Sequence, residues 1–139
     1  MPQIIPNLVE DNDAIHWMLQ QHNAQYMRDF KEYSFHISEE GKIVAGIVAE
    51  STFDTLEVEF LFVEEFCRGK GYGRRLLSHV EELARRDGLA RVLLNTYSFQ
   101  APGFYKTLGY TQLLEIHPCF GEYSQYIFLK ELSGREDGS

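Results

Sequence analysis

The sequence predicts an α/β fold on a mixed sheet, and three observations carry that expectation. First, an apolar strand-like run, a glycine-rich turn, an amphipathic helix and a short second strand follow one another across residues 56–95. That is the order of a βαβ unit, in which the two strands run parallel. Second, strand-like stretches at residues 30–38, 43–49 and 56–63 are joined by short turns, which favours antiparallel neighbours. Third, two further strand-like stretches, at 110–116 and 123–132, close the chain.

Each element has a local reason. Asp11, Asn12 and Asp13 are cap candidates for a first helix, along which Ile15, Met18, Leu19, His22 and Tyr26 recur at helical spacing. Trp17, Met18 and Tyr26 are expected to be core, or otherwise the wall of an acceptor pocket. The aromatic-rich stretch 30–38 ends at the turn Glu39-Glu40-Gly41, residues 43–49 are almost unbroken apolar, and 56–63 is apolar apart from Glu57 and Glu59. In the central helix Tyr72, Leu76, Val80, Leu83 and Ala84 form one stripe, while Arg75, His79, Glu82 and Arg86 face water and Gly88 ends it. Pro102 suits the first turn of a further short helix closed by Gly109.

The 139 residues fit one domain, expected over residues 1–132, with the polar end at 133–139 expected to fray. Hydrophobic residues make up 44%, enough for a packed core. Thirteen Lys and Arg against 21 Asp and Glu give a net charge of -8, which argues against a nucleic-acid partner and favours a cationic one. The start lacks a basic segment leading into an apolar stretch, and no apolar run is long enough to span a membrane. Cys67 and Cys119, with no metal-ligand spacing, suggest neither a disulfide framework nor a metal site, so a reducing, cytoplasmic setting is expected. His117-Pro118-Cys119 lies in an expected turn with no spaced partner for chemistry.

The segment Arg68-Gly69-Lys70-Gly71-Tyr72-Gly73-Arg74-Arg75 is the most informative. Glycines between a buried strand and a helix bring backbone amides close to a ligand, and free amides at a helix N-terminus attract anions. Arg68, Lys70, Arg74 and Arg75 add four cations within eight residues. A phosphate or pyrophosphate is the expected partner. The segment fails both GxxxxGK[ST] and GxGxxG, so neither nucleotide motif applies.

It does match [RQ]xxGx[GA], and the stretch Ala101-Pro102-Gly103-Phe104-Tyr105-Lys106-Thr107-Leu108-Gly109-Tyr110 resembles Ax(2)[LF]YxxxGF downstream. On these two segments the chain resembles the GNAT acyltransferase superfamily, in detail over about residues 56–110. The resemblance implies a mostly antiparallel mixed sheet with a central parallel βαβ unit and helices on both faces. It implies acetyl-CoA as co-substrate with no metal, its pyrophosphate on the amides of Gly69 to Arg74 beside Arg68 and Lys70. The pantetheine arm would follow the strand ending at Phe62 and Val63, where the parallel strands splay, and an amide near Phe62 would stabilise the oxyanion. Many members carry Asn three residues before the motif's Ala; this chain has Ser98 there, a shorter donor. The stretch 98–105 is also similar to a group of small bacterial members, with no acceptor assigned.

Amine acetylation needs a neutral nucleophile, and an alkylamine of pKa about 10.4 is protonated at pH 7, a handicap of roughly 4.6 kcal/mol. Glu57 and Glu59 alternate on one face of an apolar strand, where partial burial would raise a carboxylate toward a useful base. Aligned on the glycine motif, Glu57 falls where family members carry their base; Glu59 and a water relay stay open. Tyr105 matches the family's acid, acting by hydrogen-bond donation to the leaving thiolate or with a lowered pKa. The implied activity is acetyl transfer to a primary amine of a small molecule or peptide. A non-catalytic acyl-CoA-binding or sensing module is the alternative. The basic turn would lower the pKa of Cys67, though direct transfer needs no thiol. Two exposed sheet edges are compatible with a homodimer.

Overall fold

The computed structural model describes residues 1–132; the polar end at 133–139 lies outside the described residues. Three helices, α1 (Val9–Asn23), α2 (Tyr72–Arg86) and α3 (Pro102–Thr107), accompany seven strands. These are β1 (Lys31–Glu32), β2 (Phe35–Glu39), β3 (Lys42–Thr52), β4 (Thr55–Val63), β5 (Arg91–Tyr97), β6 (Thr111–Ile116) and β7 (Gln125–Glu131). The sheet order is β1-β3-β4-β5-β7-β6, with β2 sharing the free side of β3 with β1. Only β4 and β5 run parallel, across the α2 crossover; every other pair is antiparallel. The expected mixed α/β architecture is therefore present.

Register explains which side chains form the core. Ile47, Leu56, Val92, Leu94 and Phe128 are buried and meet Leu76, Leu77, Val80 and Ala84 of α2. Phe60 opposes Val48 and Val58 opposes Ala49, so Glu59 is an extra residue, a β-bulge. The bulge reverses the alternation: Leu56 and Val58 point to α2 before it, Leu61 and Val63 pack on the same core after it, and Phe60 and Phe62 are left exposed.

Two sequence expectations need correction. The stretch 30–38 is not one strand, because at the break the Ser34 hydroxyl oxygen accepts the Ala49 N–H at 3.2 Å in place of a ladder carbonyl. The first helix begins after Leu8, whose N–H bonds the Asp11 carboxylate at 2.9 Å, and it ends before Tyr26. None of its residues is buried, and Trp17, Met18 and Tyr26 are exposed, so they are not core. At about 100° per residue, Trp17 projects about 160–200° away from Ile15 and Leu19, and no single apolar face results.

Among the buried polar residues Ser51, Glu81, Thr96 and Ser124, Glu81 carries a charge. Glu81 of α2 accepts the Tyr110 hydroxyl at 2.6 Å and Lys130 Nζ at 3.0 Å, and Lys130 also bonds the Leu108 carbonyl at 2.8 Å. Their side chains are 6% and 20% exposed, so removing one partner leaves a buried charge. Glu81→Ala is expected to lower unfolding free energy by about 3–5 kcal/mol in urea titration. Replacing Glu81, Lys130 and Tyr110 together by Met, Met and Phe should recover part of that loss.

Candidate active site

The parallel ladder between β4 and β5 spans Thr55 to Val58 opposite Arg91 to Leu94 and goes no further. Beyond it the two strands part, and the β5-facing edge of β4 from Glu59 to Val63 has no strand partner. The glycine turn stands at the far end of this gap. A 3₁₀ turn, Glu65–Cys67, reverses the chain, and Gly71 caps α2 with φ 83°, a left-handed conformation that an L side chain resists. The Arg75 N–H bonds the Gly71 carbonyl at 3.0 Å, so the amides of Tyr72, Gly73 and Arg74 precede the first helical bond and point outward as anion donors. Gly73 brings the helix against its neighbours: a Cβ there would lie 3.4 Å from Phe104 Cζ and 3.6 Å from Val63 Cγ2. Turn, strand end and α3 thus meet at one point.

The cations of the turn have distinct partners. Arg68 Nε donates to the Val63 carbonyl at 3.0 Å, with its guanidinium 6.0 Å from the Phe62 ring. Lys70 Nζ lies 3.4 Å from the Glu39 carboxylate, which also accepts the Tyr72 hydroxyl. These contacts tie the turn to the end of β2. Arg74 makes no ion pair among the described residues. The Tyr72 hydrogen bond, ahead of the Lys70 charge, holds the Glu39 carboxyl below its usual range. Cys67 is fully buried with its thiol 3.7 Å from Glu39; burial and then that charge push the thiol up rather than down, reversing the expected effect of the basic turn.

Tyr105 is 8% exposed, packed edge-on to Phe104 and Tyr110 beside Phe128, on the α2 side of the sheet. Its hydroxyl makes no hydrogen bond with the described residues, and burial pushes its pKa up, the opposite direction from the lowered value given as the alternative expectation. Ser98 pairs with Ser124: its N–H donates to the Ser124 carbonyl at 2.9 Å and its Oγ accepts the Ser124 N–H at 3.0 Å. The serine hydroxyl proton stays free to donate.

Glu57 and Glu59 are exposed, which corrects the expected partial burial. Glu57 is opposite Glu50 in the β3–β4 register, and Glu32 is opposite Glu50 across β1–β3. Burial first, then the charges of Glu32, Glu59 and Glu57, push the Glu50 carboxyl above its ordinary value. Glu50 is therefore a member of this group that sequence reasoning missed. It lies one position past an apolar run, and only strand pairing gives it its neighbours.

An outward anion cradle, a strand edge without a strand partner and a buried tyrosine therefore belong to the elements around this gap. The family model for the acetyltransferase (GNAT) family matches residues 5–110, and the chain belongs to that family. It is 32% identical over 100 residues to a blasticidin-S acetyltransferase of Streptomyces morookaense, covering 71% of this chain and 74% of that one. A solved acetyltransferase from Bacillus cereus ATCC 14579 is 32% identical, with TM-score 0.79, covering 94% of this chain and 98% of the other. An aminoglycoside 6'-N-acetyltransferase solved with coenzyme A shares the fold at TM-score 0.61 and 19% identity, over 75% of this chain and 74% of that one.

Two outcomes follow. Gly71→Val forces a β-branched residue into a left-handed conformation at a cost of about 1–2 kcal/mol. Calorimetric titration should show acetyl-CoA affinity reduced by about ten-fold. Because the folded-state pKa of Glu50 is raised, its ionised form is penalised in the fold at neutral pH and the penalty is absent once the unfolded carboxyl is protonated. Glu50→Gln should therefore raise Tm at pH 7.5, with the gain fading below about pH 4.5.

Proposed function

We propose that the chain is an N-acetyltransferase that moves the acetyl group of acetyl-CoA directly to a primary amine of a small molecule or peptide. The gap between β4 and β5, with the amide cradle at one end, carries this reading. The amides from Gly69 to Arg74, with Arg68 and Lys70 beside them, fit a pyrophosphate, and the open edge of β4 through Phe62 and Val63 fits the amides of a pantetheine arm. Bound there, acetyl-CoA supplies an activated thioester.

The chain's own groups supply the rest. Glu57, Glu59 and Glu50 make the face opposite α2 attractive to a cationic acceptor, and one of them, directly or through a water, takes the amine proton. Glu57 is the preferred base and Glu59 the alternative. Tyr105 stays neutral because it is buried, and its hydroxyl donates a hydrogen bond to the sulfur, which departs as the thiolate when the C–S bond breaks. An N–H of β4 near Phe62 faces the developing oxyanion. The similarity to a blasticidin-S acetyltransferase supports a small-molecule acceptor. A cytoplasmic setting belongs to the same reading, supported by two free cysteines.

The test is thiol release from acetyl-CoA over a panel of polyamines, aminoglycosides and lysine or N-terminal peptides. Turnover is expected with at least one amine, and Tyr105→Phe should lower kcat by about 100-fold with little change in the KM for acetyl-CoA. Tight acetyl-CoA binding with no turnover on any amine, unaffected by Tyr105→Phe, would mark a sensing module instead.

A further inference from the structure

The strands β4 and β5 part after Val58 and Leu94, and β5 continues through Asn95, Thr96 and Tyr97 with only its other edge paired, to β7 as far as Gln125. Ser98 follows at the start of a short 3₁₀ turn, exposed, on the β5 bank of the gap. A serine hydroxyl rotates, so its direction is set by whatever engages it. One residue engages both the backbone and the side chain of Ser98. The Ser98 N–H donates to the Ser124 carbonyl at 2.9 Å, and Ser98 Oγ accepts the Ser124 N–H at 3.0 Å. With that lone pair taken, the Ser98 hydroxyl proton is left to donate away from Ser124.

Ser124 is itself held. It is 3% exposed, and its Oγ shares a hydrogen bond with His117 Nδ1 at 2.5 Å. His117 follows β6 and Ser124 precedes β7, so this bond closes the connection between the two strands on itself, and a second bond, from the Cys119 N–H to the Tyr123 carbonyl at 2.7 Å, closes its inner turn. The Phe120 ring of the same connection meets the Tyr97 ring edge-on, with centroids 5.5 Å apart. A buried hydroxyl needs a partner, and His117 supplies one although it is exposed and fills no part of the core. Its contribution is that bond.

We propose that His117 and Ser124 are positioning residues that aim the Ser98 hydroxyl into the gap, where it donates a hydrogen bond to acetyl-CoA from the side opposite β4, which rests on the acetyl-CoA reading given above. An extended donor bonded to β4 along one side leaves polar groups on its other side, and Ser98 stands on that bank with a hydroxyl proton to give. His117 acts through Ser124 and not on the donor itself. Calorimetric titration with acetyl-CoA and steady-state kinetics test this. Ser98→Ala should weaken acetyl-CoA binding about five-fold, the loss of one neutral hydrogen bond. His117→Ala and Ser124→Ala should each cost about the same, with the loss falling on the KM for acetyl-CoA rather than on kcat. His117→Asn, whose amide can still bond the Ser124 hydroxyl, should restore affinity to within about two-fold of the wild type. In a Ser98→Ala background, His117→Ala should add less than about two-fold, because its route to the donor is gone. A His117→Ala protein that loses Tm yet binds acetyl-CoA as the wild type does would overturn the proposal and leave a structural clasp. So would a full second loss in the double variant, or an Asn variant no better than Ala. Wild-type protein that binds no acetyl-CoA would overturn the reading of the gap along with this proposal, an outcome told apart because the Ser98 and His117 variants then have no affinity to lose.

Discussion

Four residues of β4 pair with four of β5, and then the strands part. Most of the candidate site depends on that short parallel ladder. While it lasts, it holds the two strands at hydrogen-bonding distance and anchors both ends of the α2 crossover, so the glycine turn is carried on a rigid base. Where it stops, the backbone polar groups of β4 have no neighbouring strand, and unpaired groups of that kind need another partner. An extended ligand with its own amides would satisfy them without disturbing the core, which lies under α2. The same divergence lets Tyr105 approach from one face while the carboxylates stand on the other.

Charge is divided along this axis. The net charge of -8 is not spread evenly, because Arg68, Lys70, Arg74 and Arg75 crowd the turn while Glu32, Glu50, Glu57 and Glu59 gather on the face away from α2. Glu39 tempers the cationic end. By accepting from Tyr72 and Lys70 it fixes the turn's shape, and it neutralises one of the cations that would otherwise repel its neighbours.

Much of this was legible in the sequence, for local reasons. Gly71 and Gly73 are needed where backbone conformation and a 3.4 Å approach require them, so the turn announces itself in six consecutive letters. The βαβ order and the position of Tyr105 follow from similar short-range patterns. What was not legible depends on pairing between distant segments. Glu50 gains its meaning from register with Glu57 and Glu32, Glu39 from the reach of Tyr72, and the break at Ser34 from the amide of Ala49. The first helix misled for a different reason: helical spacing of apolar residues predicts a helix and says nothing about which surface receives it.

The extra residue at Glu59 makes β4 change phase once along its length. Without a bulge, strict alternation of the same residues would turn Phe60 and Phe62 inward beneath α2 and Leu61 and Val63 out to water. Substitutions at positions 57, 59, 60 and 62 can alter what approaches the gap while leaving the core alone, because the inward set Leu56, Val58, Leu61 and Val63 faces the other way. The bulge thus separates two jobs along one strand, with replacements at its outward positions free to reshape the gap while the inward positions keep the core.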